Sequence, residues 1–277
     1  MQFIKMHGCG NDYVLVNEND VKGYIYPELA KKISDRKEGV GSDGLIVVGK
    51  SDCADLRMYM YNSDGSRGKM CGNGIRLLGK YAYERKLTIK TRLRVETDSG
   101  IKMLYLHTNG ACVETVTVDM GAPVFEAKKI PVCSDDESIL DKRVNICGRS
   151  YNMSCVSMGN PHAVIHVDEA DIYDLCEDGS RIENDRMFPD RVNVMFTEVV
   201  SDDYIRMKIW ERGSGVTLAC GSGACAAFAA CHATGRCGEH VKVCMPGGSV
   251  EVSYDENGKN IILTGDANEV FTGEYML

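Results

Sequence analysis

Nowhere does this chain run apolar for the twenty or so residues that a membrane-spanning helix requires. Its first residues, Met1-Gln2-Phe3-Ile4-Lys5-Met6-His7, lack the apolar core of a secretory signal, so export is not expected. The formal net charge of −8 leaves no basic excess for a nucleic-acid footprint. No C-x-x-C pair occurs, which argues against a structural zinc site, and no metal site is expected. No G-K-[ST] occurs either, so a P-loop is excluded. Gly39-Val40-Gly41-Ser42-Asp43-Gly44 does match G-x-G-x-x-G, but an apolar strand, Leu45 to Val48, follows it where a dinucleotide site needs a helix. There is no low-complexity linker.

Cysteine, by contrast, is plentiful. Thirteen in a chain without an export signal point to reduced thiols and a cytoplasmic location. Ten of them, Cys53, Cys112, Cys133, Cys147, Cys155, Cys176, Cys225, Cys231, Cys237 and Cys244, read as small buried hydrophobes. The composition, 44% hydrophobic and 26% charged, is that of an ordinary globular protein, and 277 residues usually divide into two domains.

The most informative feature is a repeated turn. Cys71-Gly72-Asn73-Gly74 returns as Cys220-Gly221-Ser222-Gly223, an offset of 149 residues (71 to 220). The same offset carries Asn11 onto Asn160, Gly44 onto Asn193, Arg57-Met58 onto Arg206-Met207 and Asn62 onto Glu211. A constant offset over such a length indicates an internal duplication. The halves meet near Asp119 to Pro123, which gives domains 1–119 and 120–266.

Both halves follow one plan. Short strands are expected at Phe3 to Lys5, Tyr13 to Val16, Leu45 to Val48 and Leu56 to Tyr61, with a helix at Pro27 to Ser34. A polar loop, Asn62 to Met70, leads to a helix that Cys71 opens and that runs to about Arg85. Hairpins fill Arg94 to Val118. In the second half, strands are expected at Ala163 to Val167, Val192 to Phe196 and Tyr204 to Trp210. A glycine-rich loop, Gly213 to Ala219, then leads to a helix from Cys220 to about Thr234. Ala224, Ala226, Ala227, Ala229 and Ala230 make that helix apolar all round, so strands must cover every face of it. Val241 to Tyr254 and Ile261 to Leu263 read as further hairpins. The fold class is α/β of the α+β type: two pseudo-symmetric halves, each a mixed β-sheet around a central helix.

A loop running into a helix leaves backbone N–H groups unpaired, and the helix dipole adds positive potential there. A cysteine at that point should have its thiolate favoured and its pKa drawn toward neutrality. The same N–H groups can hold a carboxylate. Two such turns facing each other would place a sulfur on each side of one α-carbon. One removes a proton as thiolate and the other returns one as thiol, inverting the centre, while converging N–H donors stabilise the carbanion. Nothing in the sequence implies an electron-sink cofactor. His162, after Asn160-Pro161, reads as a histidine that tunes a thiol. Arg212 could clamp a second carboxylate, and Glu211 could accept an ammonium or shift a cysteine pKa. Asn62 reads equally as a ligand or as a loop cap. Together these groups suggest a small zwitterionic substrate with more than one charged end.

Taken as a set, Met6-His7-Gly8-Cys9-Gly10-Asn11-Asp12, Asn62-Ser63-Asp64-Gly65-Ser66, Cys71 to Arg76, Gly159 to His162, Arg191-Val192-Asn193, Trp210 to Gly213, Ala219 to Cys225 and Pro246-Gly247-Gly248 resemble the diaminopimelate epimerase family over the whole chain. The resemblance implies curled, barrel-like sheets and a terminal segment, 267–277, returning to the first half. It implies Cys71 and Cys220 as the acid–base pair and His162 and Glu211 as modulators of their pKa values. Gly72, Asn73, Gly221 and Ser222 would bind the reacting carboxylate. Asn11, Asn62, Asn160, Asn193, Glu211 and Arg212 would hold the rest of a diamino diacid. It implies no cofactor, a place in lysine and peptidoglycan precursor synthesis, and a homodimer. Three positions depart from the family. Trp210 stands where tyrosine is more usual, Gly44 where some members carry glutamine, and Phe271 where some place a tyrosine at the dimer contact. A racemase for another amino acid and a thiol-based redox sensor are the alternative readings.

Overall fold

The computed structural model describes residues 1–276. The chain divides into two compact units, Met1–Asp119 with the stretch from Thr264 onward, and Met120–Leu263.

Unit 1 opens with β1 (Gln2–Gly8), β2 (Asn11–Asn17), α1 (Tyr26–Ser34), β3 (Gly44–Gly49), β4 (Leu56–Asn62) and β5 (Arg67–Gly68). It continues with α2 (Gly72–Glu84), β6 (Arg92–Thr97), β7 (Gly100–Asn109) and β8 (Cys112–Gly121). Pairing alternates between antiparallel and parallel: β1–β2 antiparallel, β2–β3 parallel, β3–β4 antiparallel, β4–β6 parallel, β6–β7 antiparallel.

Unit 2 holds β9 (Lys142–Ile146), β10 (Arg149–Ser157), β11 (Pro161–Val167), a π-helical turn at Leu175–Gly179, α3 (Ser180–Glu183), β12 (Asn193–Ser201) and β13 (Tyr204–Glu211). Then come β14 (Gly215–Val216), α4 (Gly221–Ala233), β15 (His240–Met245), β16 (Gly248–Tyr254) and β17 (Ile261–Asp266), which passes from unit 2 into unit 1 at Thr264. The pairing repeats that of unit 1: β10–β11 antiparallel, β11–β12 parallel, β12–β13 antiparallel, β13–β15 parallel, β15–β16 antiparallel. The last strand, β18 (Asn268–Glu274), returns to pair with β1 in unit 1.

The parallel pairs β2–β3 and β11–β12 are buried on both faces, which is why they read as continuous apolar runs instead of alternating ones. Gly44-Leu45-Ile46-Val47-Val48 shows the consequence. Leu45 and Val47 join Val14, Val16, Leu29 and Ile33 in a core under α1. Ile46, pointing the other way, lies against the start of α2, where a Cβ on Gly74 would meet its Cδ1 at 2.9 Å. In unit 2, Ile165, Val194 and Phe196 pack with Ile139, Tyr151 and Phe188, and Trp210 joins their edge. α4 touches β10, β11, β12, β13, β15 and β16, so the sheet wraps the helix, as its all-apolar surface requires.

Several elements differ from the sequence reading. The two glycine-rich loops each contain a two-residue strand, β5 and β14. Strands β9, β10 and β18 lie outside the expected elements and are seen only in the structure. The cysteine reading needs a larger correction. Cys155, Cys225, Cys231 and Cys237 are buried, but Cys53, Cys112, Cys133, Cys147 and Cys176 are exposed and Cys244 is half-buried. Three of the buried ones lie on β10 or α4, whose faces are covered. The exposed ones sit in turns and loops or at a strand end, where no second layer reaches them.

Gly44 has a steric cause. It pairs with Asn62 of β4 and Tyr13 of β2, and a Cβ there would lie 2.2 Å from the Tyr61 carbonyl oxygen. The Tyr61 backbone cannot yield as a flexible side chain can, and the Tyr13 ring, 3.0 Å away, closes the other side. Gly44→Ala should therefore destabilise unit 1 by about 1–3 kcal/mol, the usual cost of overpacking a closed site. Urea denaturation followed by circular dichroism would measure it, and an unchanged midpoint would show that the strand shifts freely.

Candidate active site

Each cysteine turn is built by its own unit. Cys71 has extended backbone (φ −131°, ψ 126°) and caps α2, its sulfur accepting the Gly74 N–H at 3.5 Å. The Cys71 thiol donates to Asn11 Oδ1 at 3.4 Å, and Asn73 Nδ2 donates to the same oxygen at 3.4 Å. Asn11 is held from behind, its Nδ2 donating to Asp43 Oδ2 at 2.7 Å. A carboxylate only accepts, so Asp43 fixes which end of the Asn11 amide faces the sulfur. Asp43 is tied in turn to Arg36, which also binds Asp12. Arg76, fully buried on α2, donates to the Gly72 carbonyl at 3.0 Å and to the Asp266 carbonyl at 3.1 Å.

Cys220 repeats the geometry at the head of α4 (φ −136°, ψ 109°). Its sulfur lies 3.6 Å from Ser222 Oγ, and Asn160 Nδ2 donates to that hydroxyl at 3.4 Å. The fourth residue of each motif is glycine for packing. A Cβ on Gly223 would meet Met195 Cε at 2.5 Å, and Met195 is the counterpart of Ile46 at the repeat offset.

The thiol of Cys220 does not follow the sequence expectation. It is only 6% exposed, and burial pushes it well above the ordinary cysteine value. The nearby Glu211 charge adds to this, while the Ser222 hydroxyl and the Gly223 N–H oppose it. Desolvation outweighs the helix start, and Cys220 keeps its proton.

His162 is fully buried, and its pKa falls to about 3 through burial, with a smaller push from the Arg212 charge. The ring is therefore neutral. Its Nε2 lies 2.9 Å from Asn160 Oδ1, which can only accept, so Nε2 carries the hydrogen. The imidazole reaches Cys220 through Asn160 and Ser222 and brings no charge with it.

Asn193 is buried with both polar atoms engaged on backbone: Nδ2 donates to the Pro161 carbonyl at 3.0 Å, and Oδ1 accepts the Arg212 N–H at 2.9 Å. Arg212 Nη1 donates to the Asp190 carbonyl at 2.9 Å. Glu211 Oε1 accepts the Thr217 hydroxyl at 2.7 Å. Asn62 closes its own loop, its Nδ2 donating to Ser66 Oγ at 2.9 Å. Phe271, 45% exposed on β18, stands edge-on to Phe3 at 5.9 Å. Unit 1 thus gathers Asn11, Cys71, Gly72 and Asn73, with Asn62 on a neighbouring loop. Unit 2 gathers Asn160, His162, Cys220, Gly221 and Ser222 at one turn, with Glu211 beside Cys220 and Asn193 and Arg212 at the neighbouring turn. Sequence reasoning missed Asp43 and Thr217. Each is an isolated polar residue that only tertiary structure brings to the site. Among the described residues no group of three or more His, Cys, Asp or Glu could hold a metal ion, and no helix is long and apolar enough to cross a membrane.

The family model described as diaminopimelate epimerase matches residues 3–126 and 154–270. A diaminopimelate epimerase of Agathobacter rectalis is 46% identical over 281 residues, covering 99% of this chain and 99% of the relative. Among solved structures, a Bacillus anthracis phenazine biosynthesis protein of the PhzF family superimposes with a TM-score of 0.71 at 18% identity, covering 100% of this chain and 99% of the other. A hydroxyproline epimerase from Agrobacterium vitis gives 0.69 at 16% identity, covering 99% and 90%. These two likenesses establish the shared fold.

A pH dependence of stability follows from the buried histidines. Burial lowers His166 to about 4, as it lowers His162 to about 3. The unfolded chain takes up protons near pH 6.5, before the folded one can. Their contribution is whole above about pH 6.5 and drains away as the pH falls toward 4 and 3. The unfolding free energy should drop by about 1 kcal/mol or more between pH 7 and 5.5, less steeply in His166→Gln. Urea titrations at those pH values would show it, and constant stability across the window would mean the imidazoles are not held neutral.

Proposed function

The chain belongs to the diaminopimelate epimerase family, and on that premise we propose that it interconverts LL- and meso-diaminopimelate through two cysteines, Cys71 and Cys220. The observation that carries the reading is that both residues cap a central helix at the same point of a duplicated topology. The reacting carboxylate binds the helix starts, Gly72-Asn73 and Gly221-Ser222, where backbone N–H groups await partners. A thiolate on one face removes the α-proton and a thiol on the other returns one. Electrons left on the α-carbon pass toward the bound carboxylate, whose growing negative charge the N–H groups stabilise. Burial keeps Cys220 protonated. In the direction that starts from this state Cys220 is the donor, which leaves Cys71 as the base. Each turnover exchanges these states, so the reverse reaction uses the opposite assignment.

Asn11 and Asn160 orient the two turns, and His162 acts on Cys220 by fixing Asn160. Arg212 takes the far carboxylate and Glu211 the far ammonium, with Asn62 and Asn193 beside them. This product belongs to lysine and peptidoglycan precursor synthesis, the working compartment is the cytoplasm, and the family's homodimer would form through the face that carries Phe271.

Incubation with LL-diaminopimelate in deuterated water, without pyridoxal phosphate, should place deuterium at the α-carbon of the product. Failure of the reduced protein to incorporate it would refute the reading. Cys71→Ala and Cys220→Ala should each lower turnover at least about 10³-fold, since inversion needs a proton carrier on each face. A single variant with near-normal kcat in both directions would rule out the two-cysteine scheme.

A further inference from the structure

The carboxylate of Glu183, on the one-turn helix α3, belongs to neither cysteine turn, and its side chain is 5% exposed. Three donors converge on it. Trp210 Nε1–H reaches Oε2 at 2.7 Å, the Gly213 N–H reaches Oε1 at 2.9 Å, and Arg191 Nη1 reaches Oε1 at 3.4 Å. Trp210 and Gly213 bracket Glu211-Arg212. A buried carboxylate is tolerated only when its oxygens are bonded, and here the bonds come from both ends of a single turn. The turn is closed by the Ser214 N–H on the Glu211 carbonyl at 3.0 Å.

The segment that carries Glu183 is itself anchored. Asp178, also buried, accepts the Tyr151 hydroxyl at 2.6 Å, Arg149 Nη1 at 2.8 Å and Arg181 Nη1 at 3.0 Å. The indole packs directly on this segment, where a Cβ on Gly179 would lie 2.6 Å from Trp210 Cγ. Position therefore passes from a buried ion-pair cluster, through Gly179 and Glu183, to the backbone on either side of Glu211-Arg212.

We propose that Glu183 is a positioning residue whose carboxylate, gripping Trp210 and the Gly213 N–H, sets the placement of the Glu211 carboxylate and the Arg212 guanidinium for the distal amino-acid end of the substrate. The proposal rests on the substrate role given above to Glu211 and Arg212. Its main effect is on binding, because the reacting carboxylate is held at the two helix starts and the Glu211 charge beside Cys220 is kept.

Glu183→Gln keeps the shape but replaces one acceptor oxygen by an N–H₂ that faces a donor. It should raise KM for diaminopimelate about tenfold while kcat stays within about twofold, and Trp210→Phe, which removes the indole donor, should do the same. The double variant should be no worse than either single one, as partners in one contact require. Unchanged KM in both variants, or a fall in kcat with KM constant, would overturn the proposal. A second readout does not depend on the substrate. Trp210 is the only tryptophan in the chain, so its indole N–H gives a single resonance. In Glu183→Gln that resonance should move and the Gly213 amide should exchange faster with solvent. Equal protection of Gly213 in both proteins would overturn the grip itself. If the wild-type protein did not act on diaminopimelate, the assigned reaction would fail, yet the exchange measurement would still decide whether Glu183 holds the turn. Should Glu183→Gln fail to fold, Trp210→Phe carries the same comparison.

Discussion

Burial of a helix start is the constraint on which this structure depends. A helix N-terminus offers unpaired N–H groups and a favourable potential for negative charge, and both effects assist a thiolate. Surrounding that start with sheet removes the water that would otherwise solvate the anion. At Cys220 the second effect is the larger, and the sulfur keeps its proton. The proposed reaction, in which one sulfur gives a proton while another takes one, needs the two sulfurs in different protonation states. Two equally ionised thiols could not perform it.

The duplication shows how one scaffold supports unequal partners. Asn11 and Asn160 occupy matching positions, but Asp43 anchors the first by its amide and His162 anchors the second by its carbonyl oxygen. The two side chains therefore present opposite ends to their cysteine turns. Position 76, a fully buried arginine in the first unit, corresponds to Cys225 in the second. The backbone plan survived divergence because the strand pairings and the glycines that let helix approach sheet are set by close packing. The anchoring side chains changed because several chemistries can hold an amide.

Much of the architecture was legible in the chain because its signals are local or repeated. The helices opened by Cys71 and Cys220, the parallel strands and the matching glycine turns all follow from periodicity and the common offset. Strand β10 carries an alternation at Tyr151, Met153 and Cys155 that the reading passed over, and the burial of Ser154 on its other face and of Ser157 at its end is not written in their polarity. The exposed cysteines were misread because composition says how often a residue type is buried, not where a turn leaves it open. The rise in the Cys220 pKa was invisible for a similar reason. A helix start can be read from sequence, but the depth of its burial depends on strands far away along the chain. Glu183 escaped notice because a lone glutamate in a polar segment carries no periodic signal.

Strand β18 has a consequence for the order of synthesis. Unit 1 begins with β1, but its edge is completed only when β18 pairs Phe3 with Gly273 and the Met1 amino group meets the Tyr275 carbonyl. Arg76, beneath the first cysteine turn, likewise waits for the Asp266 carbonyl. The whole of unit 2 leaves the ribosome before those partners do. The half translated first is the half finished last, and until β18 emerges its opening strand presents an unpaired edge of the kind that favours association with other chains.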